Sequence, residues 1–241
     1  MFEQPDRFTV GVAEAASRVI RASSVPWEDL QHRFAASGVG GLDEGDTLAL
    51  VLSRCLPPDA DAVAAADTLM ARFGGVARVL GAPEPDLAQV IGMPAARQLG
   101  LLHLLLLRAL EHPLRQRTVL TSFEAVRTYL RCRLTALPRE AFHVLFLDRK
   151  NQLIADERLG QGTVDHAPVY PREVVRRALE LSASALLLAH NHPSGDPNPS
   201  SADVEITRKV VEAARALAIT VHDHFVVAGD QVVSLRAAGL M

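Results

Sequence analysis

The chain has 241 residues, enough for one large or two ordinary domains, and its 49% apolar content is too high for general disorder. A formal charge of -3 with no basic half gives no sign of the phosphate-binding field of a dedicated DNA-binding domain, and 5% aromatic residues leave few stacking platforms for single strands. Cys55 and Cys132 lie in separate regions without a Cys-x-x-Cys spacing, so no disulfide framework or cysteine-based zinc site is expected and a reducing cytoplasm fits. The first residues, Met1 to Arg7, are polar and acidic, unlike a signal peptide.

In chain order, Ala- and Leu-rich segments around 11–22, 45–56, 59–73, 84–91 and 95–112 read as helices. They are separated by Gly38 to Gly41, Pro57-Pro58, Gly74-Gly75 and Pro83. The longest apolar run, Leu99 to Leu107, lies between Arg97 and Arg108. It is shorter than the about 20 residues a bilayer span needs, so it is expected to be a buried helix with no membrane role. His112-Pro113 should end this helix, with Leu114 to Thr118 as a linker. A helix over 119–134 follows, then strands near 142–148 and 152–159 and a helix from Pro171 to Leu181. A buried strand, Ala185 to Ala189, runs into His190; a helix begins near Ser200, and strands near 219–228 and 231–235 close the chain. The expected organisation is a small all-α domain over 1–115 and an α/β domain with a mixed sheet over 119–241.

The chemistry concentrates in His190-Asn191-His192, followed by Ser200 and Asp203. Residues two apart on a strand share a face, so both imidazoles point one way and Asn191 the other. Three prolines, Pro193, Pro197 and Pro199, stiffen the connecting loop, and Gly195 permits a sharp turn. Asp203 then falls in the first turn of the next helix. Two nitrogens and one carboxylate oxygen leave a fourth tetrahedral position for water, the arrangement of catalytic rather than structural zinc. Such a water has its pKa lowered to about 7. The same donors would accept other divalent transition metals. The plainer reading makes Ser200 and Asp203 a helix capping box and the histidines loop residues; capping and ligation can coexist.

His190, His192, Ser200 and Asp203 match without a gap the pattern of the JAMM (MPN+) metalloproteases, which is His-x-His, seven residues, Ser, two residues, Asp. The chain resembles the bacterial RadC family more closely, through His190 to Pro197, Val169 to Val174 and Asp223-His224-Phe225, over about the last 120 residues. The resemblance implies an α/β, mixed-sheet JAMM/MPN-like (cytidine-deaminase-like) catalytic domain and a Zn2+ cofactor held by His190, His192 and Asp203. It further implies a general base at the start of the first strand, which here looks like Glu140; Glu157 and Glu173 compete for the role. Ser200 would hydrogen-bond the developing oxyanion, or only cap its helix. Asp223-His224 would be a supporting element near the site, and His222 and His224 are left out of the ligand set. His143 reads as a satisfied histidine on a strand.

RadC-like proteins also carry a helix-hairpin-helix where Val90 to Arg97 stands here, but Pro94 occupies the place of its second glycine and has no amide proton. The leading expectation is a zinc-dependent hydrolase acting on a peptide, isopeptide or other amide bond of a peptide or protein substrate. The alternatives are a DNA-associated accessory protein, because the family has carried a DNA-repair label, and a metal-binding scaffold without turnover. The loops over Thr163 to Tyr170 and Gly195 to Pro199 are expected to wall the site.

Overall fold

A computed structural model describes residues 27–121, 123–161 and 169–241. The helix expected at 11–22 and most of the 163–170 loop lie outside these residues. The chain divides into two compact units, Met1–Leu102 and His103–Met241.

The described part of the first unit is helical: α1 (Trp27–Ser37), α2 (Glu44–Leu52), α3 (Ala62–Phe73), α4 (Val76–Gly81) and the first part of α5 (Glu84–Gln116). Asp43 and Asp46 form a capping box on α2, and Asp46 also takes both guanidinium nitrogens of Arg33 at 2.6 and 2.7 Å. Asp61 caps α3 at its first amides, and Gly74, at φ 81, ends it. Leu30, Leu48, Leu52, Leu69, Leu87 and Leu99 fill the core of this unit. Two short helices, α1 and α4, escape the sequence reading because each buries one side chain, Leu30 or Val79, and so shows no apolar period.

Helix α5 is interrupted at Gly92, φ 74 and ψ 157, between the two expected segments 84–91 and 95–112, and it departs from expectation in two ways. It does not end at Pro113 but runs on to Gln116. Proline forfeits one amide bond there, and the last turn is retained because Leu114 is buried in the second unit while Arg115 donates to Glu111 and to the carbonyls of Leu153 and Ile154. Finally, the 99–107 run is buried along one stripe only: Leu99 and Leu107 are inside, whereas Leu101, Leu102, Leu104, Leu105 and Leu106 are exposed. A helix presents a limited arc to a core, so an unbroken apolar run must leave part of itself outside. By length and composition alone α5 could cross a bilayer, since the helix extends well beyond the nine-residue run. The domain limit expected near 115 likewise differs from the division after Leu102, because Leu107 and Leu114 pack with the second unit's core.

The second unit is a five-stranded mixed sheet between helices. After α6 (Phe123–Leu134) come β1 (Ala141–Leu147), β2 (Leu153–Gln161), α7 (Pro171–Glu180), β3 (Ala185–Asn191), α8 (Ser201–Arg215), β4 (Thr220–Ala228) and β5 (Gln231–Ser234). The spatial order is β2-β1-β3-β4-β5, antiparallel except for the β3–β4 pair. The two central strands, β1 and β3, are buried at every residue, as continuous apolar runs require. One face packs on α7 and α8 through Phe142, Val144, Leu186, Leu188, Val174 and Val210. The other packs on α6 and the end of α5 through Leu145, Leu187, Phe225, Val126, Leu130 and Leu114.

A one-residue bulge in β4 governs which way its side chains point. Val221 pairs with Leu186 but Asp223 pairs with Leu187, so His222 is extra. Val221 lies in the α7/α8 core and Phe225 in the opposite one, yet His224, three residues after Val221, shares Val221's face and meets the Phe142 ring at 5.3 Å. Asp223 pins the irregularity: it accepts from His224 N at 2.7 Å, Ser234 Oγ at 2.5 Å and Arg236 N at 3.1 Å.

Candidate metal centre

Strand β3 delivers the histidines to the end of the sheet, and a prolyl loop leads to α8. His190 is the penultimate residue of β3 and is fully buried, and Phe142 stacks alongside it with the rings 9° from parallel. His192 lies just past the strand, held by its amide to Val227 O at 2.8 Å. The loop then turns at Gly195, φ 82, and brings the Asp196 carbonyl within 2.7 Å of His192 Nδ1. At the start of α8, Ser200 Oγ donates to Asp203 Oδ2 at 2.6 Å and accepts from Asp203 N at 3.2 Å, and Ser200 N donates to the same carboxylate at 2.7 Å. The capping box is therefore present. It also aims the carboxylate at the imidazoles.

The three expected ligands converge. His190 Nε2 and His192 Nε2 are 2.9 Å apart, His190 Nε2 lies 3.2 Å from Asp203 Oδ1, and His192 Nε2 lies 3.5 Å from Asp203 Oδ2. A tetrahedral ion with metal–ligand distances of roughly 2.1 Å has ligand–ligand edges of roughly 3.4 Å, close to this spacing. Ring protonation sharpens the fit. The Asp196 carbonyl can only accept, so the neutral His192 ring carries its proton on Nδ1 and turns a lone pair toward Asp203. On the other side, His190 Nδ1 lies 2.8 Å from His224 Nε2, leaving His190 Nε2 to face the same point. Nitrogen lone pairs and a carboxylate crowded together repel unless a cation lies among them, so the donor set fits a metal ion.

Without a metal, a proton meets part of that demand. The hydrogen bond that His192 donates to Asp203 raises the His192 pKa against the effect of burial, helped by the Asp196 carbonyl and by the charges of Asp203 and Glu140. Burial alone would raise the Asp203 carboxyl, but the two imidazoles beside it and the Ser200 hydroxyl outweigh it and hold Asp203 far below the usual carboxylate range. His224, completely buried and next to His190, is pushed well below its ordinary value and stays neutral.

A family model described as a RadC-like JAB domain matches residues 120–240. A UPF0758 protein of Rhodobacter capsulatus is 45% identical over 214 residues, which cover 88% of this chain and 100% of that relative. The chain belongs to the RadC family. Its JAB domain type is associated with metallohydrolases, and the His190, His192 and Asp203 group could hold a metal ion.

In this RadC-family chain Glu140 immediately precedes β1 and is buried. Phe142 pairs with His190, so the antiparallel register, continued by two residues, sets Glu140 opposite His192. The competitors lie elsewhere. Glu157 takes a two-pronged hydrogen bond from Arg177 at 2.6 and 2.7 Å, and Glu173 is engaged by Arg176 at 2.9 Å. Their arginines explain why neither faces the histidines. Two contributors are absent from the sequence reading. Asn191, pointing away from the ligands, accepts from Ala141 N at 2.9 Å and donates to the carbonyls of Leu137 and Arg139 at 3.2 Å, gripping the backbone on both sides of Glu140. Thr207 bonds the Asp203 carbonyl and His224. Its place four residues after Asp203 on one helix face was a usable signal, whereas Asn191 acts across 50 positions and left none.

His222 turns away from this centre to Asn151 at 2.7 Å, and His143 pairs with buried Asp156 at 2.8 Å on the α6 side of the sheet. In the first unit, Gly92 supplies the positive φ of a helix break and Pro94 stands inside the continuing helix.

Proposed function

We propose that this chain is a zinc-dependent hydrolase of amide bonds, a peptidase or isopeptidase, that works on a peptide or protein substrate in the cytoplasm. The observation that carries the proposal is the convergence of two imidazole lone pairs and one carboxylate beside a buried glutamate at a strand end. His190, His192 and Asp203 would hold the ion, and zinc there would supply carbonyl polarisation and a water of pKa about 7. Glu140, opposite His192, would accept the proton of the attacking water and return it to the leaving nitrogen, a role that contributes about 100- to 10,000-fold. Asn191 fixes the peptide that carries Glu140, so the carboxylate does not swing away as it changes charge. The Ser200 hydroxyl, hydrogen-bonded to Asp203, lies at the rim where it can turn to an oxyanion; one such donor is worth about 3 kcal/mol in the barrier.

Elemental mass spectrometry on the purified protein should give about one zinc per chain, and none in a His190→Ala/His192→Ala double variant. Hydrolysis of a peptide and isopeptide panel should then vanish in Glu140→Gln with metal retained. Unchanged turnover in that variant would leave a metal-binding scaffold in place of the enzyme.

A nucleic-acid reading draws only on the break at Gly92, and Pro94 removes one amide that would face a phosphate. A salt-dependent mobility shift of duplex DNA that Gly92→Ala abolishes would raise it; no shift at low salt would dismiss it.

A further inference from the structure

His190 meets a second buried histidine at its far nitrogen, and the order of protons along that contact is fixed by a backbone carbonyl. Thr207 Oγ1 lies 2.5 Å from Asp203 O and 2.5 Å from His224 Nδ1. The hydroxyl has one proton and the carbonyl can only accept, so Thr207 donates to Asp203 O. His224 Nδ1 must then be the N–H partner that donates to Thr207 Oγ1. The neutral His224 ring has no second proton, so its Nε2 accepts, and the proton between the rings, across 2.8 Å, belongs to His190 Nδ1. His190 Nε2 is left with a lone pair, aimed at His192 and Asp203.

We propose that His224 and Thr207 form a positioning relay that commits His190 to bind metal through Nε2 and ties its ring to the backbone of a second ligand, Asp203. The inference rests on the metal-binding reading above and deepens it. The relay starts at the Asp203 carbonyl and ends at the Asp203 carboxylate, so a shift of α8 along its axis would move a ligand and its partner's ring together. His224 and Thr207 are 0 and 1% exposed, so no water can take the place of either. Partners of this kind commonly set a ligand's ring orientation, and losing one typically costs about 10- to 100-fold in metal affinity.

The test is the zinc dissociation constant, by competition with a chromophoric chelator, on the full chain and on Thr207→Val and Thr207→Ser. Imidazole nitrogen shifts of His190 are read by NMR on the same samples. Thr207→Val keeps the shape and removes the hydroxyl; zinc binding should weaken about 10- to 100-fold, and metal-free His190 should populate the Nε2–H form. Thr207→Ser should restore both the affinity and the Nδ1–H form. Tight zinc binding by Thr207→Val with His190 still protonated at Nδ1 overturns the relay and leaves the metal site standing. A wild-type chain that binds no zinc overturns both. If Thr207→Val does not fold, the wild-type spectrum decides: a proton on His190 Nε2 in the metal-free protein refutes the relay directly.

Discussion

Replacing Asn191 by Leu tests whether the glutamate and the histidines are held as one assembly. Asn191 and Ala141 are each 2% exposed, so the Leu side chain fits an apolar environment but leaves the Ala141 amide without its 2.9 Å partner. An unsatisfied buried donor costs about 1–3 kcal/mol, and losing the two 3.2 Å bonds to the Leu137 and Arg139 carbonyls adds about 1 kcal/mol, for a total of about 3 kcal/mol. In a domain of this size each kcal/mol lowers the melting temperature by about 2–4 °C, so a fall of about 6–12 °C is expected. Calorimetry measures the fall, and amide hydrogen exchange at Ala141 locates it. Asn191→Asp keeps the acceptor for Ala141 but presents a carboxylate to two carbonyls, and should be at least as harmful. A Leu variant that melts within about 1 °C of the parent, with Ala141 still protected, would refute the argument that this side chain secures Glu140.

Further outcomes follow from other contacts. Ser200→Ala should cost about 1 kcal/mol through the lost cap; a drop in hydrolysis of 100-fold or more beyond that stability change would mark an oxyanion role, measured by kinetics and melting on one preparation. Asp156→Asn should destabilise by about 3 kcal/mol, since the carboxylate is 3% exposed and engages His143 and Tyr129. Burial raises the Asp156 carboxyl, but the His143 and Tyr129 hydrogen bonds and the nearby charges prevail and set it below its unfolded value of about 3.9. Its stabilisation is complete above that value and is lost as pH falls through the folded pKa, so urea midpoints against pH should show a shallower acid limb in the Asn variant. On α5, Leu99→Ala should cost about 2–5 kcal/mol, whereas Leu105→Gln, at a 66% exposed position, should change stability by less than about 0.5 kcal/mol.

The parts of the fold visible in the sequence are those encoded over short distances. The apolar runs of β1 and β3, the prolyl loop and the capping residues of α8 are each local, and the ligand triad lies within 14 positions, so spacing alone brought His190, His192 and Asp203 together. Glu140 depended on more: its place across from His192 comes from the β1–β3 register, which no local pattern carries. The same holds for Asn191, whose partners are 50 to 54 positions away. Where local rules misled, packing had overruled them. Pro113 reads as a stop, yet Leu114 and Arg115 have enough partners to keep the turn wound, and a run of leucines reads as interior although a helix can hide only one side of itself.

The extra residue in β4 makes this protein more sensitive to counting than to chemistry. Were His222 taken into the ladder as a regular residue, strict alternation would turn His224 toward α6 and swing Phe225 into the place beside His190. Every ligand would still be encoded, in order and at its proper spacing. The centre would nonetheless have an aromatic ring where His190 now finds an acceptor. A single-codon insertion between Asp223 and His224, far from the His-x-His, would leave the recognisable motif whole and its inner support reversed, so a relative that keeps the motif but gains a residue here should be judged by its strand register and not by its signature.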